Sequence, residues 1–142
     1  CDLRICGPGA RFGVPVARTL GNCLSAANCS RLLDLVGPAR LKDLMFTARL
    51  LNAQEALAAG LATQVVDAEA LDRTVADTAS RIASNAPLTI TATKEMVRRL
   101  QTHRRGAADA GDDLVVACYT SQDFRGAVAA FMEKRTPVWT GK

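Results

Sequence analysis

Proline at position 15, two residues past the last of three closely spaced glycines, limits what the stretch GPGARFGVP (residues 7–15) can become. A dinucleotide-binding loop needs a strand, a tight glycine turn and then a helix whose first N–H groups point at the pyrophosphate. Here Val14 and Pro15 follow Gly13. Proline fixes its own φ and pushes the preceding residue towards extended backbone, and residues 10–16 alternate in a β-prone way. No helix is expected to open where a phosphate needs one, although Asp34 stands about 20 residues on, where an adenine-ribose acid stands in such folds. The reading that remains is two short strands, 3–6 and 11–13, joined by a Gly-Pro-Gly turn.

The rest of the chain reads as helices. A Gly/Asn/Ser-rich stretch, 20–28, leads into a helix that runs to Val36 and stops at Gly37 and Pro38. A new helix follows, with Leu41, Leu44, Met45 and Ala48 on one stripe. Asn52 with Glu55 has the spacing of a capping box for a short helix, 53–59, closed by Gly60. Residues 62–66 form a β-prone run, and Asp67 is placed to cap a long helix whose Leu71, Val75, Ala79 and Ile82 make an apolar face. Pro87 opens another helix with Ile90, Val97 and Leu100 inward, and the polar run 101–106 reads as a loop. A helix over 107–120 and a last one, capped by Ser121 with Phe124, Val128 and Phe131 on its inner face, complete the chain, and the tail leaves at Pro137.

The 142 residues are 49% apolar, enough for one domain over 1–142 with a real core. No apolar run is long enough for a membrane span and no secretory pattern is visible, so a soluble, cytoplasmic protein is expected. Cys1, Cys6, Cys23, Cys29 and Cys118 show no metal-ligand spacing, and the single His103 has no acid or nucleophile pattern beside it. Reduced thiols and no metal site are the expectation. The net charge of +4 suits anionic small molecules. An aromatic content of 4% leaves little for base stacking, so nucleic acid is not an expected partner.

Three segments carry a resemblance. CDLRI followed by ARFGVP, then GPARLKDLMFTARLLNAQEALAAGLATQVVD, then SQDFRGAVAAFMEKRTPVW resemble, in order, three passages of the enoyl-CoA hydratase/isomerase (crotonase) family. The resemblance implies an α/β fold of the crotonase type, a ββα spiral, of which this chain is the mostly helical C-terminal portion with a few short strands. It implies action on acyl-CoA thioesters through enolate stabilisation, with coenzyme A as part of the substrate, no separate cofactor, and a homotrimer or hexamer as the assembly. It also implies that the glycine-rich loops supplying the oxyanion-hole N–H groups, worth ~3 kcal/mol each, and the first of two catalytic glutamates lie upstream of Cys1.

By the same resemblance the second glutamate falls at Val16, which can neither give nor take a proton, so two-carboxylate hydration is not expected. Val16, Leu20, Gly21 and Asn22 are the implied substrate-pocket residues, and Arg18 is a weak catalytic candidate whose simpler role is an exposed surface cation. Asn22 and Ser25 depart from the family's glycine-rich loop; they suit either a polar acyl group or a helix cap. Lys134 of FMEKR stands where the family places a lysine on the adenine or 3′-phosphate end of coenzyme A; as residues alone, it equally complements a helix C-terminus. Phe131 reads as core rather than an adenine platform. The basic set Lys94, Arg98, Arg99, His103, Arg104 and Arg105 reads mainly as a solvated helix face. A noncatalytic crotonase remnant that binds CoA or serves assembly is the alternative.

Overall fold

The computed structural model describes residues 1–104 and 111–142. Strands β1 (Ile5–Cys6), β2 (Arg11–Phe12), β3 (Leu51–Asn52) and β4 (Gln64–Val65) are short, and helices α1 (Val16–Thr19), α2 (Ala26–Thr47), α3 (Ala53–Ala58), α4 (Leu71–Ala83), α5 (Pro87–Arg104), α6 (Asp112–Thr120) and α7 (Gln122–Met132) make up most of the chain. The residues gather into two compact units, each built from two separate stretches of chain.

The first unit takes residues 1–12 and the chain from β3 through α5. The Gly-Pro-Gly turn forms, with the Ala10 N–H donating to the Gly7 carbonyl at 3.2 Å, but the strands on either side of it pair elsewhere. β1 lies parallel to β4 with Ile5 opposite Gln64, and β2 lies antiparallel to β3 with Phe12 opposite Leu51. Leu51, fully buried, is the largest side chain taken wholly out of water among the described residues. One residue later the capping box closes: Asn52 Oδ1 accepts from the Glu55 N–H at 2.9 Å while Glu55 Oε2 accepts from the Asn52 N–H at 2.8 Å. The short α3 then buries Ala53 and Ala56, three apart on one face, and the Leu61 N–H returns to the Ala56 carbonyl at 2.8 Å across Gly60.

Arg4 holds this turn to the first strand. Its guanidinium donates to the Leu61 and Gly60 carbonyls, and its own carbonyl accepts from both the N–H and the hydroxyl of Thr63 at 2.8 Å. Asp67 does not cap a helix with its side chain; its carbonyl opens a single 3₁₀ turn, Ala68–Ala70, before α4 begins. The predicted inner face of α4 is in place but open: Val75 and Ile82 are 47% and 39% exposed. With Leu3, Ile5 and Phe12 they line an apolar cavity of about 520 Å³, because no side chain among the described residues covers them. In α5, Ile90 is half-buried while Val97 and Leu100 are exposed, for the same reason.

The loop expected over 101–106 is in part a correction: α5 continues through Arg104. Polarity does not break a helix when its charges pair one turn apart, and Glu95 takes Arg98 and Arg99 at 2.7 Å each. Arg105, Gly106 and the start of the helix expected over 107–120 fall outside the described residues.

The second unit takes residues 13–50 and the chain from α6 onward. A further correction concerns its start: the backbone does not stay extended to Val16. The Pro15 carbonyl accepts from the Arg18 and Thr19 N–H groups at 3.0 and 3.1 Å, opening the one-turn α1. The fixed φ that disfavours a helix before proline suits a proline at a helix start. α2 is two helices joined at Gly37 (φ 71°, ψ 169°), with Pro38 opening the second, as the sequence predicts. Leu44 and Ala48 on its stripe are buried, with Leu41 and Met45 half-buried. On α7, Ser121 Oγ accepts from the Phe124 N–H at 3.0 Å, but the buried residues are Ala127 and Ala130, while Val128 and Phe131 are 42% and 75% exposed. Small side chains let a neighbouring element approach closely, so the alanine stripe turns inward and the larger residues stay outside. Asp123 accepts from the Thr140 N–H and hydroxyl at 2.7 Å and from the Gly141 N–H at 2.8 Å, folding the tail back onto the start of α7.

Hydrogen bonds from Arg98, and then from Arg99, pull the Glu95 carboxyl from its ordinary 4.5 to about 2. A carboxyl lowered in this way supports the folded state above its ordinary value and loses that support as pH falls through the folded value. An NMR titration of the Glu95 carboxyl should therefore give a midpoint of about 2. A midpoint near 4.5 would show that the arginine clamp is not formed in solution.

Candidate active site

In the second unit, the segment running from Gly13 to Ser25 gathers most of the residues the sequence singles out. Gly13 lacks a side chain for a reason unconnected with phosphate: a Cβ there would lie 2.7 Å from the Arg49 carbonyl oxygen and 2.8 Å from Leu50 Cδ2. The bare Cα lets residue 13 lie against 49–50, and the chain then reaches Pro15 and α1. Val16 is the first residue of α1 and is half-buried. Its carbonyl accepts from the Leu20 N–H at 2.9 Å and the Gly21 N–H at 2.8 Å, so Val16 draws Leu20 and Gly21 back beneath its own turn.

Gly21 adopts φ 66°, in the left-handed region, and a Cβ there would meet Trp139 Cζ3 at 2.7 Å. The indole closes that side of the loop. Asn22 follows, with Nδ2 donating to the Tyr119 hydroxyl at 2.8 Å. Tyr119 in turn packs its ring on Phe124, centroids 4.8 Å apart. Asn22 Oδ1 is buried and accepts from no group among the described residues. An unpaired buried acceptor typically costs ~1–3 kcal/mol, and a hydrogen-bond donor brought into the loop recovers part of that. Ser25 Oγ accepts from the Asn28 N–H at 3.4 Å and so caps α2.

Val16, Leu20, Gly21 and Asn22 are thus held in one loop. Arg18 points to solvent from the last turn of α1, where a helix C-terminus favours a cation. Lys134 is also exposed and ends α7. The Lys134 N–H reaches the Phe131 carbonyl at 3.2 Å and the Arg135 N–H reaches the Ala130 carbonyl at 2.9 Å, the same double closure that Gly60 makes after α3, but Lys134 makes it with a side chain at φ 56°. Phe131, expected inside, stands exposed one turn earlier.

Of the basic set, Lys94 pairs with Asp2 at 2.8 Å, and Arg98 and Arg99 share the single Glu95 carboxylate at 2.7 Å each, so these three cations are partly compensated by two acids. The side chains of His103 and Arg104, and Arg105 entirely, lie outside the described residues. The roles of Tyr119 and Trp139 beside the loop were not visible in the sequence: they are separated from it by about a hundred residues or more, and no short motif links them.

Comparison with known proteins decides the family. The sequence profile described as enoyl-CoA hydratase/isomerase matches residues 1–142. This chain belongs to the enoyl-CoA hydratase/isomerase family. It is 36% identical over 136 residues to a short-chain-enoyl-CoA hydratase of Clostridium acetobutylicum, covering 95% of this chain and 52% of that protein. It is 34% identical over 149 residues to a carnitinyl-CoA dehydratase of Proteus mirabilis, covering 99% of this chain and 56% of the relative. Among solved structures, a methylmalonyl-CoA decarboxylase in complex with 2-nitronate-propionyl-CoA superposes with a TM-score of 0.89 at 31% identity, over 99% of this chain and 55% of the other. The chain therefore spans about half the length of the relatives it matches. The expected fold class, the mostly helical C-terminal portion of a crotonase-like fold with a few short strands, is borne out.

The Gly21–Trp139 contact gives a direct test. Gly21→Ala adds a left-handed residue, at ~1–2 kcal/mol, and an overpacked methyl against the indole, at ~1–3 kcal/mol. Thermal or denaturant unfolding should show a loss of that order. A change within ~0.5 kcal/mol, the usual scale of a surface substitution, would contradict the packing described.

Proposed function

We propose that this chain supplies substrate-facing parts of an enoyl-CoA hydratase/isomerase family enzyme that acts on acyl-CoA thioesters by stabilising an enolate. The observation that carries this reading is the match of the family profile along all 142 residues. It is supported by a structural neighbour solved in complex with a CoA ester, 2-nitronate-propionyl-CoA. In this reading coenzyme A arrives as part of the substrate. Its adenine and 3′-phosphate end meets Lys134 and the exposed ring of Phe131: the ammonium offers a point charge to phosphate, and an aromatic face stacks on a base. The acyl group lies by the loop of Val16, Leu20, Gly21 and Asn22, where the unpaired Asn22 Oδ1 accepts a hydrogen bond from a polar acyl substituent. A homotrimer or hexamer is the assembly proposed, in the cytoplasm.

Val16 sets the limit on the chemistry. Residue 16 cannot activate water or hold the α-carbon proton, so the reaction reaches its enolate without an acid at that place. Decarboxylation, named for the neighbour of known structure, is one route of that kind, since breaking a C–C bond leaves the electron pair on the α-carbon with no proton to remove. Val16 also favours a second reading, a noncatalytic CoA-binding crotonase chain. Turnover of an acyl-CoA thioester by the full natural chain distinguishes the two.

The coenzyme A contact is tested by Lys134→Gly. Glycine tolerates the left-handed backbone at this helix end, so stability should stay within about 1 kcal/mol of the parent. Loss of a charged hydrogen bond should weaken CoA binding about tenfold in calorimetry. Unchanged affinity would remove Lys134 from the binding site.

A further inference from the structure

Three of the five cysteines lie close together in the second unit, and neither the fold nor the proposed chemistry uses them. Cys23 follows Asn22 in the candidate loop, and its thiol is turned to the carbonyl of Leu114 on α6 at 3.7 Å. In a helix that carbonyl accepts from the N–H four residues on, which is that of Cys118. Helical Cα–Cβ bonds tilt towards the N-terminus, so the Cys118 side chain leans back over the turn where the Cys23 sulfur sits. That places the Cys118 side chain beside Cys23, and the Cys118 and Cys29 thiols, the latter from the first turn of α2, both act electrostatically on the Cys23 thiol. The Cys29 thiol is itself turned to the Leu24 carbonyl at 3.9 Å. All three are free and half-buried.

Asn22 and Cys23 thus tie the same short segment to α6 by neighbouring side chains, one through the Tyr119 hydroxyl and one through the Leu114 carbonyl. We propose that Cys23 and Cys118 form a reactive dithiol that closes to a disulfide under a hydroperoxide and covalently fixes the candidate substrate loop to α6. One thiolate attacks the peroxide bond, becoming a sulfenic acid and releasing an alcohol, or water when the oxidant is hydrogen peroxide. The second thiol then attacks that sulfur, and its hydroxyl leaves with a proton as water. Two thiol hydrogens and two electrons pass to the peroxide, and one S–S bond forms. Burial, and then the neighbouring Cys118 and Cys29 thiols, push the Cys23 thiol up from its ordinary value. Proximity rather than a standing thiolate therefore drives the reaction, and a thiol reductant reverses it.

The test uses the full natural chain, treated with hydrogen peroxide, quenched by alkylation and mapped by mass spectrometry after digestion, beside the same protein oxidised in urea. A linked peptide joining Cys23 and Cys118, lighter by two hydrogens than its reduced halves, should form about tenfold or more faster than any other cysteine pair. It should disappear with dithiothreitol and lose its advantage in the unfolded sample. A Cys23–Cys29 bridge as the main product, no linked peptide, or equal rates in folded and unfolded protein would each overturn the proposal.

Discussion

The bare Cα of residue 13 sets the course of the segment on which the candidate site is built. Because no Cβ separates it from the Arg49 carbonyl and the Leu50 side chain, the chain can lie against residues 49–50 and then enter the turn at Pro15. That turn places the Val16 carbonyl where it gathers the N–H groups of Leu20 and Gly21. A second bare Cα at Gly21 lets the loop lie under Trp139 and carries Asn22 to Tyr119. A glycine-rich stretch that resembles a phosphate cradle in one dimension is thus an answer to steric crowding. The requirement is close approach of backbone, which any larger residue at 13 would prevent.

Energetically the chain relies on small, local devices more than on a large core. The buried hydrophobic residues among those described are leucines and alanines, and Leu51 is the largest buried whole. Around them lie satisfied polar groups: the reciprocal cap at Asn52 and Glu55, the Arg4 grip on the Gly60–Leu61 turn, and the Asp123 clasp on the tail. Hydrogen bonds from Thr140 hold the Asp123 carboxyl below its usual range, so that clasp stays charged to lower pH than an ordinary aspartate would. In the apolar cavity between α4 and β1, with Val75 and Ile82 on its wall, hydrophobic contact is incomplete.

What was legible in the sequence follows the range of the interactions. Caps at Asn52 and Ser121 and the break at Gly37–Pro38 depend on residues within one turn, and they were readable. The α4 stripe at Leu71, Val75, Ala79 and Ile82 was readable as a face, but periodicity says which residues share a side and not what covers them. The same limit explains Phe131: two stripes run along α7, and the alanines, not Phe131, face inward. Polarity misled at 101–104, where the helix, braced one turn upstream by Glu95 with Arg98 and Arg99, simply runs on. Of the site, Val16, Gly21 and Asn22 were found through resemblance to family motifs. Their partners Tyr119 and Trp139 were not, since only folding brings them near.

Membership of the enoyl-CoA hydratase/isomerase family leaves open which reactions this version of the site supports, and the account turns on a valine where a carboxylate is expected to stand. The most direct measurement is crotonyl-CoA hydration by the full natural chain and by its Val16→Glu variant, followed by loss of the enoyl absorbance. With one general acid–base group absent, a parent rate about 10²-fold or more below that of the variant is predicted. A parent that hydrates crotonyl-CoA as fast as its Val16→Glu variant would contradict the account, because the proton would then be handled somewhere other than residue 16.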